Sequence, residues 1–270
     1  MHELITDQSF DLNRTNEYIL SIQVSLDGFS FSVKQAKDNY PLIVSRTPAT
    51  ISSEKFIARR FREWVNTEEI LKQSYAEINI QYFTGNFTAI PVSFFLHEKQ
   101  NEIAALLFKQ EVTLQVVTSH PNHSEIKILF SIPVNLSSEI AEKFDSCKLV
   151  HPAMVLIEKC STLFSEINGA LLYFTPENFL LLLYNGKNLV LANSYMYGHP
   201  NDIVYYLMAA LNEFHIKPGS LKLVLSGEIS KEDETEIMLM KYFNNLEFWL
   251  PETNIDSKAF KNLHRFISLL

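Results

Sequence analysis

The chain has 270 residues, 47% hydrophobic and 20% charged, the balance of a folded globular protein and not of a disordered one. Its formal net charge of -8, from 23 basic and 31 acidic residues, disfavours general binding to a nucleic-acid backbone. Its 7 glycines are few for an enzyme that wraps phosphates in glycine-rich loops, and its 2 cysteines, Cys147 and Cys160, are too few for a disulfide framework and are spaced unlike a metal knuckle. They read as buried thiols of a reducing compartment.

The stretch from Met1 to Asp7 has neither the basic nor the apolar part of a secretory signal. The most apolar run, at 179–184, is far shorter than the ~20 residues that span a bilayer. A cytoplasmic location is expected, with the Asn86-Phe87-Thr88 sequon unused.

Residues 1–17 read as a loose polar leader. Strands are expected at 19–25 and 29–33, around Asp27-Gly28 as a type I′ hairpin turn, and at 42–44. Ser52 or Ser53 can cap a helix whose apolar positions Phe56, Ile57, Phe61 and Trp64 recur at helical spacing. Arg59, Arg60 and Arg62 form its solvated side, which also carries the donors to grip a phosphate or an acidic partner. A further helical piece is expected from Thr67, with Glu68 and Glu69 in its first turn. Strands follow at 112–118 and 126–132, around His120-Pro121-Asn122-His123, a solvated turn whose two imidazoles lack further metal ligands at familiar spacing. A helix capped by Ser137 or Ser138, a strand at 148–150 and a helix over 152–164 complete the first half.

The second half repeats the order. Strands at 170–174, 179–184 and 189–192 precede a helix over 200–214, and Asn185-Gly186 is the strongest short hairpin signal in the chain. A strand at 221–225 leads to a helix over 232–243, opened by Glu232, Asp233, Glu234 and Glu236, where negative charge suits the helix dipole. A strand at 246–250 and a last helix from Ser257 close the sequence. Each half is a three-stranded meander followed by a helix, and the fold class is α/β, with mixed sheets covered by helices.

That order is joined by three segments: Ser21-Ile22-Gln23-Val24-Ser25-Leu26-Asp27-Gly28-Phe29-Ser30-Phe31, Phe87-Thr88-Ala89-Ile90-Pro91-Val92-Ser93-Phe94-Phe95 and Leu223-Val224-Leu225-Ser226-Gly227-Glu228-Ile229. Together they resemble the two-lobed actin-like ATPase fold, built on duplicated ribonuclease-H-like lobes, and within it an uncharacterised bacterial family. The resemblance implies a first lobe over 18–165 and a second over 166–270. It also implies an ATP site between the lobes, made of two Asp/Gly phosphate loops that hold Mg²⁺ and the phosphates and a glycine-rich turn at the adenosine.

This sequence departs from that pattern. Asp27-Gly28 supplies one Asp and one Gly of the first loop. The second loop matches Thr175-Pro176-Glu177-Asn178, where proline removes a donor and no glycine lets the backbone approach a phosphate. Only Ser226-Gly227 resembles the adenosine turn. Asp27, Gly28, Ser226 and Gly227 are thus vestigial cofactor-binding residues, and no cofactor is expected, ATP with Mg²⁺ being the alternative. No catalytic constellation or metal ligand set stands out. The first strand also lacks the carboxylates of a ribonuclease-H-like nuclease.

Tyr195-Met196-Tyr197, with Tyr205 and Tyr206, is the candidate surface for an unidentified protein partner. In the last helix Ala259, Phe260, Leu263, Phe266, Ile267 and Leu270 form an apolar stripe, beside Lys258, Lys261, His264 and Arg265. It reads as core packing, with docking on an anionic membrane surface as the alternative. The expected function is a non-catalytic actin-like interaction or scaffold protein. The alternatives are a divergent ATP-binding enzyme, ATPase or kinase-like, and a membrane-surface adaptor.

Overall fold

The computed structural model describes residues 3–108, 112–122, 124–250 and 262–270. Strand β1 (Glu3–Thr6) is followed by the meander β2 (Tyr18–Ser25), β3 (Gly28–Gln35) and β4 (Pro41–Pro48), then helix α1 (Glu54–Thr67) and β5 (Glu77–Tyr82). An inserted unit follows, of β6 (Phe87–Pro91), α2 (Gln100–Leu107), β7 (Leu114–Ser119), β8 (Ile126–Pro133) and α3 (Val134–Lys143). The chain returns through β9 (Cys147–Val150) and α4 (Pro152–Leu163). The second half runs β10 (Gly169–Phe174), β11 (Asn178–Asn185), β12 (Asn188–Met196), α5 (Pro200–Glu213), β13 (Lys222–Gly227), α6 (Glu234–Met240) and β14 (Leu246–Phe248), and a short 3-10 turn, Leu263–Phe266, lies near its end.

Strand order carries the duplication. The first sheet reads β1-β4-β3-β2-β5-β9 and the second β12-β11-β10-β13-β14. Without β1 the two orders are the same: an antiparallel meander, then two parallel strands at the side of its first strand. The insertion carries its own sheet, β6-β8-β7. Residues 3–6, expected as leader, pair instead with β4 at the sheet edge, Leu4 opposite Ser45 and Ile5 opposite Val44. No local signal announced this, because a strand that short is specified by its partner.

Alternation in β2 and β3 sorts the first sheet into an apolar face of Leu20, Ile22, Val24, Phe29, Phe31 and Val33 and a polar face of Ser21, Gln23, Ser25, Ser30 and Ser32. The apolar face packs on α1, with Phe29 stacked on Trp64 at 4.9 Å. The helix's buried stripe is Ile57, Ala58, Phe61, Trp64 and Val65; Phe56 sits one residue off it and is exposed. Ser53 holds the N-cap position without a side-chain cap bond. The piece expected from Thr67 is a 3-10 turn, Glu69–Lys72.

β10 and β11 are buried on both faces and therefore read as continuous apolar runs. Leu172, Leu181 and Leu183 pack with Ile203, Leu207 and Leu239 of α5 and α6. The other face, with Leu171, Leu180, Leu182 and Tyr184, joins α4 in the core that also contains the first sheet's apolar face. Helix α3 begins at Val134, directly after Pro133, so Ser137 and Ser138 lie inside it, and the Ser138 hydroxyl donates back to the Val134 carbonyl at 3.0 Å. Helix α6 begins at Glu234, because Asp233 is its cap and Glu232 has a positive φ of 66°.

Of the final helix expected from Ser257, residues 257–261 lie outside the described residues, and Leu263–Phe266 form the 3-10 turn. Leu263, Phe266 and Leu269 are buried against Val44. The membrane-surface alternative, which needs that stripe exposed, is thereby overturned for these residues. Among the described residues no helix is long and apolar enough to cross a membrane.

One buried residue escaped sequence reading. His151 caps α4: its Nδ1 accepts from the Ala153 N–H at 3.1 Å and its Nε2–H donates to the Thr84 carbonyl at 3.0 Å. The ring is stacked on Phe87 at 4.3 Å. Burial lowers its pKa from 6.5 to about 4, so the neutral ring is the native form. Stability from this group is complete above pH 6.5 and is lost as pH falls towards 4. The His151→Asn variant keeps a capping acceptor but cannot titrate. Its stability loss between pH 7 and pH 5, measured by chemical denaturation, should be smaller than wild type's by about 2 kcal/mol. Equal losses in the two proteins would refute this account of the capping histidine.

Candidate functional site

The two sheets present corresponding hairpins to each other across a cleft, β2–β3 from the first and β10–β11 from the second. In the first hairpin Ser25 pairs with Gly28, leaving Leu26-Asp27 as the loop. The expected type I′ turn is not formed: it needs positive φ at both loop residues, and neither Leu26 nor Asp27 has one, the positive φ of 131° falling on the paired Gly28. A Cβ at Gly28 would lie 2.4 Å from the Thr47 carbonyl oxygen, so the glycine is required by the close passage of the chain after β4. The Asp27 carbonyl accepts from the Ala49 N–H at 2.9 Å.

The Asp27 carboxyl points into the cleft. Burial raises its pKa; Arg46 opposes that shift, Glu177 and Glu228 reinforce it, and the Thr175 side chain opposes it. In the facing hairpin the Thr175 hydroxyl donates to the Asn178 carbonyl at 3.0 Å and Tyr197 donates to the Thr175 carbonyl at 3.1 Å, so this loop is closed on itself.

Ser226 and Gly227 end β13. A Cβ at Gly227, whose φ is 80°, would meet the Phe174 carbonyl oxygen at 2.2 Å, so this glycine too is required by strand packing. The Ser226 hydroxyl donates to the His264 carbonyl at 2.6 Å. Of the four residues singled out by the resemblance, Asp27 lines the cleft, and Gly28, Ser226 and Gly227 each have a partner or a packing reason inside the protein.

The rest of the cleft is filled by residues 262–270, which lie between the sheets. Gln81 Nε2 donates to the Ser268 carbonyl at 2.6 Å, the Ser32 hydroxyl to the Leu269 carbonyl at 2.7 Å and Lys34 Nζ to the Leu270 oxygen at 2.7 Å. Gln23 Oε1 accepts from Tyr173 at 3.0 Å and from the Ser268 hydroxyl at 2.8 Å. These bonds pair Gln23, Ser32 and the Gln81 amide nitrogen on the buried polar face of the first sheet, while Gln81 Oε1 is buried there without a hydrogen-bond partner among the described residues. Around Glu228 charges gather: Arg46 Nε lies 2.7 Å from its carboxylate and Arg265 3.9 Å, while Arg265 also reaches Glu3 at 3.6 Å. The space left among Asp27, Arg46, Thr175 and Glu228 is ≈ 10 Å³, about one water's worth. A small-molecule site needs roughly 300 Å³ or more. Mg-ATP does not fit these residues as they stand. A larger cavity of ≈ 470 Å³ borders Leu246, Phe248 and Leu250, next to residues 251–261, which lie outside the described residues.

The other candidates separate cleanly. Tyr195 and Tyr206 stack on each other at 4.4 Å and pack on Phe179, and Tyr197 sits edge-on to Phe174, whereas Tyr205 and Met196 are 70% and 71% exposed. Arg59 and Arg60 both pair with Glu63, and Arg62 pairs with Glu139 on α3. Asp233 caps α6 by accepting from the Glu236 N–H at 2.9 Å. His120 is exposed and His123 lies outside the described residues; among the described residues no group of three or more His, Cys, Asp or Glu could hold a metal ion. Glu228, Arg46 and Arg265 were missed as site residues, for only the pairing of β13 with β10 brings Glu228 to the cleft.

No curated protein matches the chain. Among solved structures, a Bacteroides thetaiotaomicron protein with actin-like ATPase fold and unknown function is similar at a TM-score of 0.82 and 21% identity, over 93% of this chain and 97% of that one. A PilM–PilN type IV pilus biogenesis complex is similar at a TM-score of 0.57 and 12% identity, over 93% of this chain and 96% of that one. The fold is therefore the two-lobed actin-like fold, its lobes built on the duplicated topology described above. The profile of a family described as protein of unknown function (DUF3822) matches residues 7–246, and the chain belongs to that family.

Proposed function

We propose that this protein is a non-catalytic interaction module of the actin-like fold, dividing into its two lobes near residue 165, that works in the cytoplasm by binding another protein. The observation that carries the reading is the filled cleft. Where the fold would admit a nucleotide, Ser32, Lys34 and Gln81 of the first sheet and Ser226 of the second already donate to main-chain oxygens of residues 264–270. The cleft arginines face Glu228 and Glu3, and Asp27 is desolvated among further carboxylates. Phosphoryl transfer needs phosphate-binding amides, a metal-holding carboxylate and an aligned nucleophile together, and of the two carboxyl groups that line the cleft Glu228 is paired with Arg46 and Asp27 is desolvated.

The surface we assign to the partner is the α5 side of the second lobe, where Tyr205 projects, Tyr206 stacks on Tyr195 beneath it and Tyr197 packs on Phe179 beside them. Aromatic and methionine side chains backed by packed neighbours are the usual anchors of protein interfaces. PilM, in the similar complex, is bound to the protein PilN, which agrees with an actin-like chain serving a protein partner.

Thermal unfolding in excess Mg-ATP, Mg-ADP or Mg-GTP should match that without nucleotide. A ligand at 100 times its dissociation constant would add about 2.7 kcal/mol, several degrees in Tm, and such a shift would overturn the non-catalytic reading. Replacing Tyr205 by serine should leave stability within about 0.5 kcal/mol of wild type. It should also abolish recovery of a protein that co-purifies with wild type. Undiminished recovery would remove this surface from the proposal.

A further inference from the structure

The two lobes are joined by two unlike kinds of contact. At α4 the joint is apolar: Leu156, Ile157, Cys160 and Phe164 lie in one core with residues of both sheets, and the Tyr184 hydroxyl donates to the Ile157 carbonyl at 3.2 Å. At the hairpin end the joint is polar: Arg46 with Glu228, Tyr173 with Gln23, and Arg265 with Glu228 and Glu3. Apolar burial has no substitute in water, whereas ion pairs and hydrogen bonds near a surface exchange for hydration at small net cost. The joint is therefore weakest to opening at the hairpins.

Glu228 is where the pieces of that polar end meet. It belongs to the second lobe, fixed by its N–H donating to the Phe174 carbonyl at 2.9 Å and by the obligatory glycine before it. Its carboxylate faces Arg46 on β4 of the first sheet and Arg265 on the segment that fills the cleft. Arg46 is 8% exposed, so its charge depends on this partner and on Asp27.

We propose that Glu228 is the latch of the inter-lobe cleft: one carboxylate ties the first sheet, the second lobe and the cleft-filling segment together. Its release lets the hairpin end open about α4 while the apolar core stays closed. The proposal rests on the closed cleft of the functional reading but not on the absence of nucleotide binding. Opening in this sense exposes Gln23, Ser30 and the Arg46 guanidinium, which are otherwise buried.

Amide hydrogen exchange on the full chain tests it. The Glu228→Gln variant should exchange about tenfold faster than wild type in segments 25–28, 174–178 and 263–270, with α4 and α5 unchanged. The Arg46→Met variant should do the same, and the double variant should add less than the sum of the two. Because Glu228→Gln strands a buried arginine, Arg265→Gln, which keeps the 2.7 Å Arg46–Glu228 pair and removes the 3.9 Å contact with Glu228 and the 3.6 Å pair with Glu3, serves as the gentler probe and should give the same regional pattern at smaller amplitude. Wild-type exchange in both hairpins of Glu228→Gln overturns the latch, as does acceleration spread equally over α4 and the hairpins in both Glu228→Gln and Arg265→Gln. A thermal shift with Mg-ATP in wild type would sink the functional reading and leave this regional contrast standing. Loss of the contrast sinks the latch whatever nucleotide does.

Discussion

A buried polar group calls for a partner, and on the inner face of the first sheet that requirement, unmet among the described residues at Gln81 Oε1, shapes the rest of the molecule. Ser21, Gln23, Ser30, Ser32 and Gln81 are all shielded from water. An unpaired polar group there costs about 1–3 kcal/mol, so a sheet face carrying several cannot be covered by an apolar helix. The segment 262–270 answers the requirement with two chemistries at once. Its carbonyls accept from Ser32, Lys34, Gln81 and Ser226, while Leu263, Phe266 and Leu269 find apolar ground near Val44 and Ile5.

The same arrangement decides what the cleft can do. An actin-like fold brings two hairpins together, and a ligand between them must find free donors. Here the side-chain donors of Ser32, Lys34, Gln81 and Ser226 are committed to protein acceptors, and Arg46 and Arg265 face carboxylates, although Arg265 Nε is buried without a hydrogen-bond partner among the described residues. The lobes are held together by the chain itself. Conformational change, if tied to function, has to act by breaking polar contacts at the hairpins, since α4 and both sheets share one continuous apolar core at the other end.

What could be read from the residues was what local physics controls. The alternation of β2 and β3, the Asn185-Gly186 turn and the all-apolar run of β11 carry their own period and punctuation, and the meander order repeated in both halves revealed the duplication. What could not be read depends on residues far away in sequence, or on a local constraint that outweighs a familiar signal. Leu4 to Thr6 become a strand only because β4 offers an edge. The start of α3 lies ahead of the serines expected to cap it because Pro133 ends the strand and opens the helix, a stronger constraint than the hydroxyls beyond it. His151 looks like any residue before Pro152, and only the rings of Phe83 and Phe87 and the Thr84 carbonyl make it a buried cap.

The motif residues make the sharper case. Asp27-Gly28 and Ser226-Gly227 are the residues for which the resemblance in sequence implied a remnant of nucleotide binding. The geometry offers a separate cause for each glycine: the backbone after β4 leaves no space for a Cβ at Gly28, and the backbone at Phe174 leaves none at Gly227. Both constraints belong to the hairpin and the parallel strand pair that define the lobes, so they persist whether or not a phosphate ever arrives. Ser226 has a protein acceptor, and Asp27 is the member of the set whose side chain is left among like charges. A carboxyl group held there by burial, with Arg46 shared between it and Glu228, makes the polar end of the cleft easier to disturb than its core. The residue that the resemblance linked to a phosphate is thus coupled, through Arg46, to the Glu228 ion pair between the lobes.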